Sequence, residues 1–393
     1  MKDTRNFRTK TNFIKRNNGH IDGTWEIALD LGYSAVKGFS PNAIFRFPNY
    51  ARRVGEDFSF IGKTSKNSIL YKNLDNGEMW IVGEVAQNLI SSGETSDSEA
   101  SLYGRNRYES AMFHVIAETG LGMAMTRAEF VNASGENTVL EPENDKIVVQ
   151  TGLPEEYMED EPDLKDALAG SHNFALKIAD QTWQEFHFIM DYNEIYVMSQ
   201  PKGTLLSVCI DRNGQFRPEA AEYLSSSVIV FDAGFGTLDI FPINSGVVGN
   251  GETYTNLGMK RVLQETSKEI RKQFNISVPV PAMQKALETG VIRYMDKKRF
   301  KANEYEFGDI LAASSSRICE EAITSMASVL SLIDYNYLIV TGGTGAAWYN
   351  QIIDKFKDFD TLKILKGNQN DDLPFVYANV RGYYFYRFNK LAE

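Results

Sequence analysis

Residues 30–38 read DLGYSAVKG and follow the apolar run Ile27, Ala28, Leu29. The stretch predicts two strands, 25–31 and 35–39, joined by a tight turn at Gly32, Tyr33 and Ser34. That turn is loaded with an acid (Asp30), a hydroxyl (Ser34) and a base (Lys37). Some two hundred residues later the strand SVIVFD (227–232) runs into DAGFGTLDI, which repeats the order aspartate, any residue, glycine, aromatic. A duplicated domain explains the echo better than chance. The expected fold class is therefore α/β, with two related domains that each carry a sheet and covering helices.

The two turns suggest a common chemistry. Glycine lets the backbone approach a ligand closely, and successive N–H groups form an anion-binding nest. Gly32, Tyr33 and Ser34 supply one nest; Gly234, Phe235, Gly236 and Thr237 supply the other. Lys37 is suited to a phosphate oxygen, and Asp30 and Asp232 to the water shell of Mg²⁺, which is often held through one or two carboxylates plus phosphates. A third element, IVTGGTG (339–345), reads as strand, glycine turn and helix, where Gly342, Gly343 and Thr344 admit a base or ribose and the helix start favours phosphate. Gly258, ahead of the amphipathic helix expected at 259–275, offers an opposite wall. Lys260, Arg261 and Glu265 are candidates there, against the plainer reading of solvated helix residues. Neither the Walker A pattern nor G-x-G-x-x-G is present. Each turn alone reads as an ordinary hairpin; the three together point to a nucleotide.

The order DLGYSAVK, TGLP, VMSQP, DAGFGTLD, NLGMK, VTGGTGA, ANVRGYYF resembles the actin-like ATPases, the superfamily of actin, heat-shock chaperone ATPase domains and sugar kinases, from about residue 25 to 388. DLGYSAVK, TGLPEEY and FVYANVRGYYFY look most like the ParM-type actins that segregate plasmids. The resemblance implies an actin-like ATPase fold, with two α/β domains, each a mixed five-stranded sheet with helices, flanking a nucleotide cleft. It also implies ATP or ADP with Mg²⁺ as cofactors, self-assembly into a filament, and a DNA-binding adaptor that links the filament to plasmid or phage DNA. Residue by residue, it carries the first phosphate motif onto Asp30, Gly32, Tyr33, Ser34 and Lys37. The second falls on Asp232, Gly234, Phe235, Gly236, Thr237 and Asp239, and the adenosine motif on Gly342, Gly343 and Thr344. Gln200 takes the place of the water-activating residue, so Gln200 and Asp232 are the expected catalytic pair. ParM proper resembles this stretch but has a glutamate there, whereas actin has glutamine; a glutamine orients and polarises water rather than taking its proton. ATP over GTP is an expectation of the resemblance alone. Two alternatives stay open: a cytoskeletal scaffold with another cargo, and a non-polymerising small-molecule kinase of the same fold. The kinase would need a carboxylate base, for which 37–150 offers no convincing motif.

The rest of the chain bounds these readings. Its 393 residues, 43% of them hydrophobic, suffice for two ordinary domains with sizeable cores. A net charge of −11 argues against broad electrostatic contact with nucleic acid. No apolar run reaches the roughly 18–20 residues a membrane span needs. Cys209 and Cys319 have neither metal-ligand nor disulfide spacing, which fits a reducing cytoplasm. The expected domains are 25–215 plus 375–393, with a divergent inserted subdomain at about 40–104, and 216–374. Residues 91–101 read as a polar loop, and the basic stretch 1–24 as a disordered tail.

Overall fold

A computed structural model of the chain describes residues 4–19, 21–55, 57, 58, 60, 65–89, 105–125, 145–296 and 301–392. The polar loop expected at 91–101 lies outside the described residues. The chain forms two compact units: a first drawn mainly from residues 9–220 and 377–392, and a second drawn from residues 4–8 and 221–376.

The first unit is built on a six-stranded mixed sheet in the order β1 (Asn12–Lys15), β4 (Ala43–Pro48), β3 (Ala35–Phe39), β2 (Thr24–Leu31), β8 (Lys146–Leu153), β11 (Ile195–Ser199). The strands from β1 to β2 pair antiparallel, and β2, β8 and β11 run parallel. The central strands are buried on both faces, which is why TWEIALDL is apolar along most of its length instead of alternating. The helix Ala111–Met125 packs against β2, β3 and β4, and the helix Ala378–Ala392 against β2, β3 and β8. A five-stranded antiparallel sheet completes the unit in the order β10 (Gln184–Met190), β9 (Gly170–Ile178), β6 (Ile69–Asn73), β7 (Met79–Val82), β5 (Ala51–Val54). It draws on residues well beyond 40–104, because β9 and β10 return from downstream of β8.

The second unit repeats the plan. Its sheet runs β14 (Val247–Val248), β13 (Leu238–Asn244), β12 (Ser227–Ala233), β18 (Tyr337–Thr341), β19 (Lys363–Lys366), with β15 (Glu252–Tyr254) also on β13. Antiparallel pairing from β14 to β12 is followed by parallel pairing of β12, β18 and β19. This is the pattern of β4, β3, β2, β8 and β11, and it puts DLGYSAVKG and DAGFGTLDI on equivalent hairpins. The helices Met259–Phe274, Gly308–Val329 and Gly343–Phe356 contribute Val262, Leu263, Ile318, Ala322, Trp348 and Ile352 to its core. A separate hairpin, β16 (Val291–Asp296) with β17 (Lys301–Glu306), extends the unit.

The expectation of a disordered tail at 1–24 is corrected. β1 pairs Asn12 to Lys15 with Arg46 to Ala43, and Phe13 stacks on Phe45 with ring centroids 6.3 Å apart. Asn18 donates to the Ser40 carbonyl at 2.6 Å, and Gly19 accepts from the Tyr384 hydroxyl at 2.8 Å. Residues 4–8 dock on the second unit: Thr4 Oγ1 donates to Leu287 O at 2.6 Å, Arg8 pairs with Glu288 at 2.9 Å, and Phe7 packs on the core. The signal was the apolar Phe7, Phe13 and Ile14 interleaved with the charges.

Candidate functional site

In the first unit β2 and β3 form a hairpin with Asp30 opposite Lys37. Lys37 Nζ sits 2.9 Å from Asp30 Oδ2, and both side chains are largely buried. The lysine's charge is thus directed at the aspartate, while the second oxygen, Asp30 Oδ1, is buried without a hydrogen-bond partner among the described residues. A Cβ at position 32 would lie 2.8 Å from Lys37 Nζ, a side-chain end that could shift, and 3.1 Å from Ala35 O, so glycine keeps the turn close without displacing the lysine. Two residues unforeseen from sequence hold the turn. Asn49 donates through Nδ2 to Gly32 O at 2.7 Å and through its backbone N–H to Ser34 O at 3.0 Å. The buried Arg107 guanidinium stacks 4.6 Å from the centroid of the Tyr33 ring.

Gln200 is half-buried and opens the helix Gln200–Cys209 directly after β11. Leu29, Thr151 and Val197 share one register across β2, β8 and β11. Asp30 and Gln200 therefore lie at the carboxyl ends of strands of one parallel set, with Gln200 about 7 Å further along at the usual rise per residue. Carboxyl ends of parallel strands are where open α/β sheets take ligands. The buried hydroxyls of Thr151 and Ser199 in this region have no hydrogen-bond partner among the described residues.

The motifs TGLP, QPKG and VRGYY have a packing role. A Cβ at Gly382 would fall 1.8 Å from Gly203 O, and one at Gly152 would fall 2.1 Å from the Tyr383 hydroxyl. The helix Ala378–Ala392 thus crosses Gln200–Cys209 backbone to backbone. Arg381, fully buried, donates to Ser207 O (2.6 Å), Ile210 O (2.9 Å) and Asp211 O (2.6 Å). A cation there suits the carbonyl-rich end of the helix.

In the second unit two segments distant in sequence converge on the β12–β13 hairpin. Gly234 O accepts from Thr344 Oγ1 at 2.6 Å and from Met259 N at 3.2 Å, and Phe235 O accepts from Lys260 N at 2.8 Å. Gly258 and Gly342 precede the helices Met259–Phe274 and Gly343–Phe356, so both helix starts abut the hairpin. A Cβ at Gly258 would lie 2.4 Å from Phe235 O, and one at Gly342 (φ 81°) would lie 2.2 Å from Ala233 O and 2.6 Å from Asp232 Oδ1. Asp232 and Gly342 are thereby neighbours, along with Gly234, Phe235, Gly236, Gly343 and Thr344.

Asp239, opposite Asp232 in the ladder, is a brace: its two oxygens accept from Thr237 Oγ1 (2.9 Å) and Thr253 Oγ1 (2.6 Å). Arg261 and Glu265 are tied up structurally. Glu265 pairs with Arg261 (3.1 Å), Lys268 (2.6 Å) and Arg317 (3.0 Å), and the Lys268 hydrogen bond leads the effects that hold its carboxyl below the usual range. Glu265 is buried among these partners rather than solvated. Among the described residues no group of three or more His, Cys, Asp or Glu side chains is placed to hold a metal ion.

Residues 28–203 match the family of actin like proteins, N terminal domain. The ParM of a 15-stranded filament from Clostridium botulinum superposes with a TM-score of 0.67 at 20% identity, over 94% of this chain and 99% of that one. The fold is actin-like. A non-polymerisable quadruple mutant of pCBH ParM gives a TM-score of 0.66 at 20% identity, with 94% and 99% covered. An archaeal actin homologue in complex with ADP gives 0.61 at 15%, with 93% and 99% covered. No curated protein matches. The actin-like fold accounts for the repeated sheet order and for the glycine turn at the head of each half.

Proposed function

We propose that the chain binds a Mg–adenine nucleotide, hydrolyses ATP, and assembles into filaments that come apart after hydrolysis. Such a filament would move plasmid or phage DNA through an adaptor, in the cytoplasm. The observation that carries this reading is the convergence of hairpin β12–β13, Gly258 and Gly342 in one glycine-lined cluster faced by two helix starts. Helix starts favour anions, and glycine at 258 and 342 lets both helix starts close directly on the hairpin. The first hairpin supports it with the buried, unpartnered Asp30 Oδ1 beside Lys37.

Asp30, whose buried Oδ1 has no hydrogen-bond partner among the described residues, fits a carboxylate that would hold the water shell of Mg²⁺ beside phosphates, and Asp232 is the second candidate. When bound, the ion would neutralise charge on the phosphoryl oxygens. Lys37 would exchange part of its attraction to Asp30 for a phosphate oxygen, and Gln200 would orient the attacking water through its carboxamide. Self-assembly draws support from the ParM filament that shares the fold.

Pelleting and light scattering in Mg²⁺ with ATP, ADP and a non-hydrolysable ATP analogue test the reading. Assembly is expected with ATP and the analogue, followed by loss of polymer as phosphate is released with ATP only. Absence of assembly with every nucleotide across a salt series refutes the filament.

A further inference from the structure

The turn at 32–34 has no helix start to hold its carbonyls, as the second hairpin does. In β12–β13 the carbonyls of Gly234 and Phe235 are taken by Thr344, Met259 and Lys260. In β2–β3 a single residue does the equivalent work. Asn49 takes Gly32 O through Nδ2 at 2.7 Å and Ser34 O through its own N–H at 3.0 Å, and it is only 5% exposed.

We infer that Asn49 is a positioning residue for phosphate binding, fixing the first turn with its N–H edge toward the anion. The argument is geometric and rests on the nucleotide reading above. The peptide bonds are all trans, so a carbonyl and the following N–H point in opposite directions. With Gly32 O drawn to Asn49, the Tyr33 N–H is turned to the far side of the turn. The stacking of Arg107 on the Tyr33 ring limits rotation about the same residue. Asn49 is itself well anchored. It follows β4, which ends at Pro48, and precedes Tyr50, whose carbonyl accepts from Gly83 N at 2.7 Å. Its Oδ1 is buried without a hydrogen-bond partner among the described residues, so the side chain is oriented by its amide donor. A site whose donors are held in place before the ligand arrives loses little on binding.

Calorimetric titration of the full chain in Mg²⁺ with ADP and, separately, with adenosine distinguishes this role from plain structural support. Adenosine lacks the groups the turn would hold. Asn49→Ala is expected to weaken ADP about tenfold, equivalent to about 1.4 kcal/mol, and to leave adenosine within about twofold of the wild type. Asn49→Asp keeps the shape and replaces the donor with an acceptor aimed at Gly32 O; it is expected to weaken ADP at least as much. ADP affinity within twofold of the wild type in both variants overturns the proposal, as does an equal loss for ADP and adenosine. A wild-type chain that binds neither compound overturns the nucleotide reading itself.

Discussion

Gly342→Ala probes the tightest junction of the second unit, and Gly246→Ala is its natural control. Both glycines have positive φ, 81° and 74°, and both lie in the same unit. An alanine at 246 meets the positive-φ penalty, about 1–2 kcal/mol, and one at 342, where ψ is 163°, meets a backbone region that is essentially glycine's alone, at about 1–3 kcal/mol. At 246 the nearest atom to the new Cβ would be Leu224 O at 3.6 Å, an ordinary contact. At 342 the Cβ would come to 2.2 Å from Ala233 O and 2.6 Å from Asp232 Oδ1. The helix start must therefore move off β12 by roughly an ångström, which overpacks the junction at about 1–3 kcal/mol. The shift also stretches the bond from Thr344 to Gly234, at about 1 kcal/mol. The difference between the variants should be about 3 kcal/mol. For a unit of this size that is roughly 6–12 °C in Tm. Scanning calorimetry of both variants reads it directly, and equal Tm values within a degree would refute the argument.

Three further outcomes follow. Glu26 lies fully buried on β2, and burial pushes its carboxyl up to about 7. Its protonated form stabilises the fold fully below about 4.5, and that contribution fades as pH rises through about 7. The stability advantage of Glu26→Gln over the wild type should therefore grow by about 3 kcal/mol between pH 4.5 and 7.5, and urea titrations that give a constant difference would contradict the assignment. Arg381→Lys cannot serve the three carbonyls that the guanidinium now holds and should cost about 3 kcal/mol, checked by denaturant midpoint. Deleting residues 1–18 uncovers the edge of β4 and the faces of Phe45 and Leu287; size-exclusion chromatography should show aggregation, and an unchanged monomer with unchanged Tm would show that this segment contributes nothing.

The features legible in the sequence were those written locally. An aspartate, a glycine turn and an aromatic behind an apolar strand specify a hairpin wherever they occur, and two copies announced two equivalent sheets. The close helix crossing was visible only as the motifs QPKG and VRGYY, because the reason for Gly203 and Gly382 is each other. Asn49 and Arg107 were missed because their task is set by a turn that neither adjoins in sequence; a buried asparagine next to a proline resembles any strand end. The tail was misjudged by charge alone. Among its described basic residues only Arg5 is exposed, the Arg8 side chain is buried against Glu288, and the strand Asn12–Lys15 finds an edge at β4 that no local pattern could reveal. For Arg261 and Glu265 the sequence allowed a plain helix reading beside the chemical one, but it could not show the ion pairs that Glu265 makes with Arg261, Lys268 and Arg317, the last from a different helix.

The central claim is that the chain binds an adenine nucleotide with Mg²⁺ and that Lys37 and Asp232 each contribute to its binding. Equilibrium binding of a fluorescent ADP in Mg²⁺, measured on the wild type, Lys37→Ala and Asp232→Ala, tests it most directly. The account predicts saturable binding to the wild-type chain, with affinity reduced at least tenfold in each variant. Affinity within twofold of the wild type in either variant would contradict it.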